Sequence, residues 1–454
     1  MTVRRTDLLE RKAISRRSVV KAGVASAGLL GASRFGSALA QDATPAASMS
    51  GFLGADYQPS AAVEIEYWQY ELDAKTAVVN ELIPEFQAAN PLITIKHVNF
   101  PYDDFRQQVA AAVQAGEGPD VLNVYYGWIP SYVQQQFLQP LPADLFPTAA
   151  IEEAFFPMVQ AAKIEDAYYA LPTAVRTLAL FYNKGILEAA GKTPPTNWEE
   201  LVDVAMATVK KNGDEFETVG ITWDIGGQGH NWWREALIRQ NGGFPASDDK
   251  RTISWTSPEA IEAFTYMTDL LLTHGVTQNA FYTDGQTAFG SGFAALHVDG
   301  SYRIGSYKIN FPDLNYGIVP LPEHKSKASF ASFWANTVTR NAAEGDKQIA
   351  ALKWIDFLAS EGVQQRWTPA TGELPARASL AADPALMADE LLASFIQSLD
   401  FSYATFMVNE ADLRQSVMDA FDQVTLNGSD PEIALQEAQD KVQAQLDEYW
   451  SSLG

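Results

Sequence analysis

Residues 63–125 read VEIEYWQYELDAKTAVVNELIPEFQAANPLITIKHVNFPYDDFRQQVAAAVQAGEGPDVLNVY, and this stretch decides the fold class. Val63 to Trp68 alternates apolar and polar side chains, the period of a strand. Ala74 to Ala89 then sets Ala77, Val78, Leu82, Ile83, Phe86 and Ala89 at helical spacing. Pro84 inside that run is expected to kink or shorten the helix, and Asn90-Pro91 ends it. Ile93 to Val98 gives a second strand and Tyr102 to Gln114 a second helix. Gly116-Glu117-Gly118-Pro119 turns the chain into a third strand, Asp120 to Tyr125. Strand, helix, strand, helix, strand predicts a parallel sheet with right-handed crossovers. Ligands of such sheets sit beyond the carboxyl ends of the strands. The first strand ends in Trp68-Gln69-Tyr70-Glu71 and the third in Tyr125-Tyr126-Gly127-Trp128, so both bring aromatic and polar side chains to one edge.

The whole chain has 454 residues, enough for two lobes. Its 32 Lys and Arg against 56 Asp and Glu leave a net charge of −24. That balance excludes nucleic acid and anionic lipid as partners, since both demand a basic face. Cysteine is absent, which excludes disulfides, thiolate chemistry and a lipid-modified N-terminal cysteine. The five histidines, at 97, 230, 274, 297 and 324, show no zinc-site spacing. There is no Gly-x-Ser-x-Gly elbow and no phosphate-binding Gly-x-x-x-x-Gly-Lys run. A glycosidase needs only two carboxylates flanking one bond, a possibility that 56 acids leave open.

The N-terminus holds Ser15-Arg16-Arg17-Ser18-Val19-Val20-Lys21, an apolar stretch from Ala22 to Ala32, and Ala38-Leu39-Ala40. This predicts a twin-arginine export signal over 1–40, cleaved after Ala40. The apolar stretch is too short to span a bilayer. Residues 41–61 are rich in Ala, Ser, Pro and Gly and are expected to form a flexible leader outside the core.

Specific motifs follow in the middle of the chain. Leu171-Pro172-Thr173-Ala174-Val175-Arg176 runs into Phe181-Tyr182-Asn183-Lys184. Gly191-Lys192-Thr193-Pro194-Pro195-Thr196-Asn197-Trp198-Glu199-Glu200-Leu201 contains a helix start, with Thr196 or Asn197 as N-cap and Trp198 packing. Asp299-Gly300-Ser301-Tyr302 reads as a glycine turn after a buried strand, and Thr371-Gly372-Glu373-Leu374-Pro375-Ala376-Arg377 comes later. Together these resemble the extracellular solute-binding proteins of ABC importers, in the large carbohydrate-binding family that includes the maltose-binding protein. The resemblance runs from about Val63 to the end of the chain. It implies an α/β, two-lobed periplasmic-binding-protein-like clam, each lobe a mainly parallel sheet flanked by helices. Three hinge crossings are implied, near 173–176, 330–336 and 378–383. One lobe would take 62–175 plus 336–378, the other 176–335 plus 379–454. The implied function is capture of a sugar or oligosaccharide by hinge closure and delivery to the importer's permease. The implied protein is monomeric, non-enzymatic and free of cofactor and metal, on the periplasmic or extracellular face of the membrane. The same fold binding a glycerol phosphodiester, a polyamine or a peptide is the alternative, with a secreted glycan-acting enzyme behind it.

A sugar offers apolar C–H faces and a ring of hydroxyls, so its site needs flat aromatic faces and planar polar groups. The first lobe's ligand-binding candidates are Gln69, Tyr70, Glu71, Tyr125, Tyr126 and Trp128. Arg176 stands at the first crossing where the maltose-binding protein has an acid, which points to different hydroxyl geometry or to a negatively charged ligand. Trp232 and Trp233 are expected in a loop that begins a helix running to Asn241. Tyr302 takes the place of a stacking tryptophan of the maltose-binding protein, and Arg303 follows it. Trp334 falls near the second crossing and Arg377 near the third. A phosphate-bearing ligand would require Arg176, Arg303 and Arg377 to converge.

Overall fold

The computed structural model describes residues 51–453, and within them it leaves the side chains of Tyr102, Asp103 and Leu453 undescribed. The export signal and the first ten residues of the leader lie outside the described residues. The opening α/β alternation is β1 (Val63–Tyr70), α1 (Asp73–Ala89), β2 (Ile93–Phe100), α2 (Tyr102–Ala115) and β3 (Val121–Tyr125). β1 lies between β2 and β3 and is parallel to both. The Gly-x-Gly-Pro-Asp turn holds this unit together. Gly116 closes α2 at φ +72°, a left-handed conformation that glycine adopts without steric cost. Asp120 accepts the Glu66 backbone N–H at 2.9 Å and Lys347 Nζ at 2.8 Å.

Pro84 does not shorten α1, which runs on to Ala89. The proline is exposed, so the carbonyl it leaves without a donor faces water, while Val78, Val79, Leu82 and Phe86 hold the buried face.

Further along come β4 (Leu171–Asn183), α3 (Trp198–Thr208), β5 (Glu215–Trp223), α4 (Gln228–Gln240), α5 (Gly285–Gly290), β6 (Ala294–Gly300), β7 (Ser329–Val338), α6 (Gly345–Leu358), α7 (Glu361–Thr371) and α8 (Glu410–Asn427). Asn197 caps α3, accepting the Glu200 N–H at 2.9 Å. The main sheet of the described residues runs β2-β1-β3-β7-β4-β6-β5, with short strands added at its margins. β4 joins its two halves. Leu171–Thr177 pairs with β7, and Leu178–Tyr182 pairs with β6. β5 and β6 are parallel, so each half has its own parallel part, and antiparallel β4 and β7 run between them.

The end of the leader departs from the expectation. Phe52 and Leu53 donate their backbone N–H groups to Asp356 at 2.6 and 3.0 Å, and Leu53 is buried in the core. Ser60 and Ala61 are held by Asp346. Two carboxylates of α6 and its first turn thus pin a segment that composition alone marks as loose.

Candidate functional site

Where β1, β3 and β7 come together, their aromatic residues form one wall. Trp334, midway along β7, has its ring centroid 4.3 Å from Tyr70, 5.8 Å from Tyr125 and 5.4 Å from Trp128. Phe105 of α2 closes the wall, 6.5 Å from Trp128. Tyr70 and Tyr125 are the last residues of parallel strands, where an open sheet presents side chains to a ligand.

A charged cluster backs the wall at the point where β4 changes partners. Arg176 donates to Glu373 through Nε at 2.7 Å and through Nη2, and its Nη2 also donates to the Tyr70 hydroxyl at 2.5 Å. Lys75, 1 % exposed, lies 4.0 Å from Glu373 and 4.3 Å above the Tyr70 ring. Trp367 Nε1 donates to the other Glu373 oxygen at 2.7 Å. Burial pushes the Glu373 carboxyl up, but Arg176 and Lys75 outweigh it and hold the group down at about 2. Burial works against the Arg176 guanidinium too, and Glu373 raises it above its ordinary range.

Arg176 also stands 4.9 Å above the ring of Tyr302, just beyond β6. The Tyr302 hydroxyl donates to Asp299 at 2.6 Å, and Arg303 Nε donates to the same carboxylate at 2.5 Å. His297 Nε2 is 3.2 Å from Asp299. Burial would raise the Asp299 carboxyl, but Arg303 and His297 hold it well below the usual carboxylate range. Arg303 also reaches Gln286. Both arginines are therefore matched by carboxylates.

Beside Trp128, at one end of the wall, lies a cavity of about 660 Å³. Arg106, Gln107, Trp128 and Tyr132 line it on one side, and Asn409 and Glu410, at the start of α8, on the other. Glu410 accepts Gln228 Nε2 at 3.1 Å and sits 3.7 Å from Arg414. Among the described residues no grouping of His, Cys, Asp and Glu could hold a metal ion.

The structure thus brings Tyr70, Tyr125, Trp128, Arg176, Tyr302, Arg303 and Trp334 into one neighbourhood. Glu71 is exposed just past the end of β1. The remaining predicted residues lie elsewhere. Gln69 points to the opposite face of β1 from Tyr70 and meets His97 at 3.2 Å. Tyr126 stacks on Phe333 at 4.9 Å, fully buried. Trp232 and Trp233 are not in a loop, because α4 already starts at Gln228. Trp232 stacks on Phe330 at 5.6 Å, and Trp233, 1 % exposed, packs on Trp223 at 4.9 Å. Arg377 donates to the Ala359 carbonyl and lies over Phe52 and Phe155, so the three arginines do not converge. Sequence reasoning missed Lys75, Phe105, Asp299, Glu373 and Glu410. Asp299 and Glu373 stood inside quoted motifs; Asp299 lies four residues before Arg303, its partner, and that proximity was the available signal, whereas the partner of Glu373 is the distant Arg176.

Residues 81–394 match the family model described as bacterial extracellular solute-binding protein. The maltotriose-binding protein of Pyrococcus abyssi is 25 % identical over 347 residues, covering 75 % of this chain and 72 % of that protein. The galactooligosaccharide-binding protein of Bacillus subtilis is 24 % identical over 398 residues, 85 % of this chain and 90 % of that one. Among solved structures, an ABC transporter solute-binding protein of Thermotoga lettingae, bound with α-D-tagatose, superposes with a TM-score of 0.73. It is 21 % identical, over 85 % of this chain and all (100 %) of the other. That likeness shows the two-lobed binding-protein fold.

Proposed function

The chain belongs to the bacterial extracellular solute-binding proteins, and from that membership we propose that it captures a neutral carbohydrate for an ABC importer. The sugar enters between two lobes, 62–175 plus 336–378 and 176–335 plus 379–454. The change of partners within β4, between Thr177 and Leu178, supports that division. Hinge closure brings the two lobes against the same sugar, and the closed form hands its ligand to the permease. The exported protein acts as a monomer, without cofactor and without turnover. It reaches the periplasmic or extracellular face of the membrane by a twin-arginine signal cleaved after Ala40 and carries no lipid-modified cysteine.

One observation carries the neutral-ligand reading. Arg176 and Arg303, beside the aromatic wall, are already matched by Glu373 and Asp299, and the cavity at Trp128, large enough for a saccharide, is lined by one arginine, Arg106, and one carboxylate, Glu410. A glycerol phosphodiester would need cations without counter-charges. Relatives whose names specify maltotriose and galactooligosaccharide agree with this reading.

Thermal unfolding against mono- and oligosaccharides, glycerol phosphodiesters and polyamines tests it. A sugar at a hundred times its dissociation constant should add about 2.7 kcal/mol and move the midpoint by several degrees, with no product on long incubation. A shift only with a charged ligand would overturn the carbohydrate assignment.

A further inference from the structure

We propose that the cavity between α3 and the helix Pro258–Leu272 is a second binding site, for a small organic cation with an apolar body. This goes beyond the carbohydrate reading and does not rest on it, because the cavity shares no lining residue with the one beside Trp128. It measures about 550 Å³, a size suited to a small molecule. Trp198 and Val202 line it from α3, one turn apart. Glu262, Tyr266 and Asp269 line it from the facing helix, at the three-to-four spacing of a single face. His324 joins them from the loop before β7.

The cavity is lined by an aromatic stack. Trp198 stacks on Tyr266 at 4.3 Å and on His324 at 4.5 Å. Two hydrogen bonds fix the stack. Trp198 Nε1 donates to Gln240 at 2.7 Å, and the Tyr266 hydroxyl donates to the Trp198 carbonyl at 3.1 Å. The aromatic faces are thus set before a ligand arrives. Exposed apolar side chains extend both walls. Met206 lies one turn beyond Val202, and Leu272 one turn beyond Asp269, each 54 % exposed. Single exposed apolar residues are ordinary, but two that prolong the walls of one cavity mark a binding surface.

Charge sets the sign of the ligand. Glu199, Glu262 and Asp269 line the cavity, and no Lys, Arg, Asn or Gln does. Donors are therefore scarce, and the Tyr266 hydroxyl is already engaged. A sugar needs donors as well as acceptors, whereas an ammonium brings its own donors and its charge. Asp269 accepts the Thr273 hydroxyl at 2.5 Å. Of the three acids only Glu262 meets a lysine or arginine among the described residues, Lys325 at 3.4 Å, and that lysine is 54 % exposed. Asn241 donates to Glu262 at 2.9 Å and, with Lys325, holds its carboxyl below the ordinary value, so it is ionised at neutral pH. Aromatic faces beside ionised carboxylates attract a cation and its apolar body together, and the chain's net charge of −24 adds to that attraction.

Titration calorimetry of the exported chain with 2-phenylethylamine and 2-phenylethanol, which differ only in ammonium against hydroxyl, tests the proposal. The amine should bind about tenfold more tightly than the alcohol, and added salt should weaken it. Glu199→Gln and Glu262→Gln should each weaken the amine about fivefold. Val202→Arg, which sets a fixed cation in the cavity, should abolish its binding. Glu199 is exposed, so its variant folds even if loss of Glu262 disturbs Asn241. Trp128→Ala should leave the amine's affinity unchanged. Equal affinity for amine and alcohol, no binding of the amine, or full amine affinity in Val202→Arg overturns the second site while the carbohydrate reading stands. Amine affinity lost in folded Trp128→Ala would move the cation to the cleft and overturn both the second site and the neutral-ligand reading.

Discussion

Arg176 with Glu373, beside the cleft, and Arg234 with Glu235, inside α4, are the same two side chains buried twice. Their electrostatics run in opposite directions. Glu373 receives Arg176 and Trp367 and lies near Lys75, and it is held down at about 2 against the pull of burial. Glu235 stands 3.9 Å from Arg234, and burial pushes its carboxyl up despite bonds from Asn231 and Thr405. Burial likewise lowers the Arg234 guanidinium, to about 10, and its Nε and Nη1 find no hydrogen-bond partner among the described residues, though the group lies 4.2 Å over the Trp255 ring. The Arg176 side chain keeps 12 % exposure where Arg234 keeps none, but geometry separates the pairs further. Successive residues on a helix point away from each other, so Arg234 and Glu235 cannot meet squarely. Arg176 and Glu373 come from a strand and from the turn after α7, and a lysine and an indole join them. The teaching is that a buried charge is stabilised by the donors that converge on it, and convergence requires separate elements.

The largest expected effect follows from removing one partner of the well-made pair. Glu373→Ala should cost about 3–5 kcal/mol in denaturant unfolding, because it leaves Arg176 and Lys75 buried without a counter-charge. A loss under 1 kcal/mol would erase the distinction between the two sites.

The pH dependence sharpens the comparison by sign. The folded carboxyl of Glu373 is depressed from 4.5 to about 2. Its contribution, about 3 kcal/mol, is present above pH 4.5 and lost as pH falls toward 2. Glu235 is raised in the folded protein, so its ionised form costs stability above the ordinary carboxylate range, and a falling pH relieves that cost. Glu373→Gln should flatten the acid limb of the stability curve. Glu235→Gln should remove a slope of opposite sign at higher pH. Equal signs in the two variants would break the comparison.

The smallest effect is expected at Arg234. Arg234→Met should cost about 1 kcal/mol or less, because Glu235 can take up a proton and keep its bonds to Asn231 and Thr405. A loss as large as that of Glu373→Ala would mean the interior pair is better coupled than its 3.9 Å separation suggests.

Much of the fold was legible in the chain. The alternating strands and helical spacing of residues 63–125 gave β1 to β3, and the strand-end rule then put Tyr70, Tyr125 and Trp128 at one edge, where the structure gathers them. What stayed hidden were partners supplied by distant segments. Lys75 and Glu373 are 298 positions apart, yet 4.0 Å separates their charged atoms, and no local pattern records that. Trp232 and Trp233 were misread for a local reason. The residue before α4 is Gly227, whose lack of a side chain leaves no capping signal, so the helix begins earlier than the sequence announces. Glu410 opens α8 after an irregular stretch, and nothing in its neighbours marks it as facing a cavity.

Two tryptophan variants test capture at the aromatic wall most directly. In calorimetric titration with the sugar that stabilises the wild type, Trp128→Ala should bind tenfold to a hundredfold more weakly, as loss of a buried aromatic contact does. Trp233→Ala, cut from the core behind the site, should melt at lower temperature and keep its affinity. Full affinity in Trp128→Ala, with affinity lost in folded Trp233→Ala, would place the ligand at α4 and contradict the site described here.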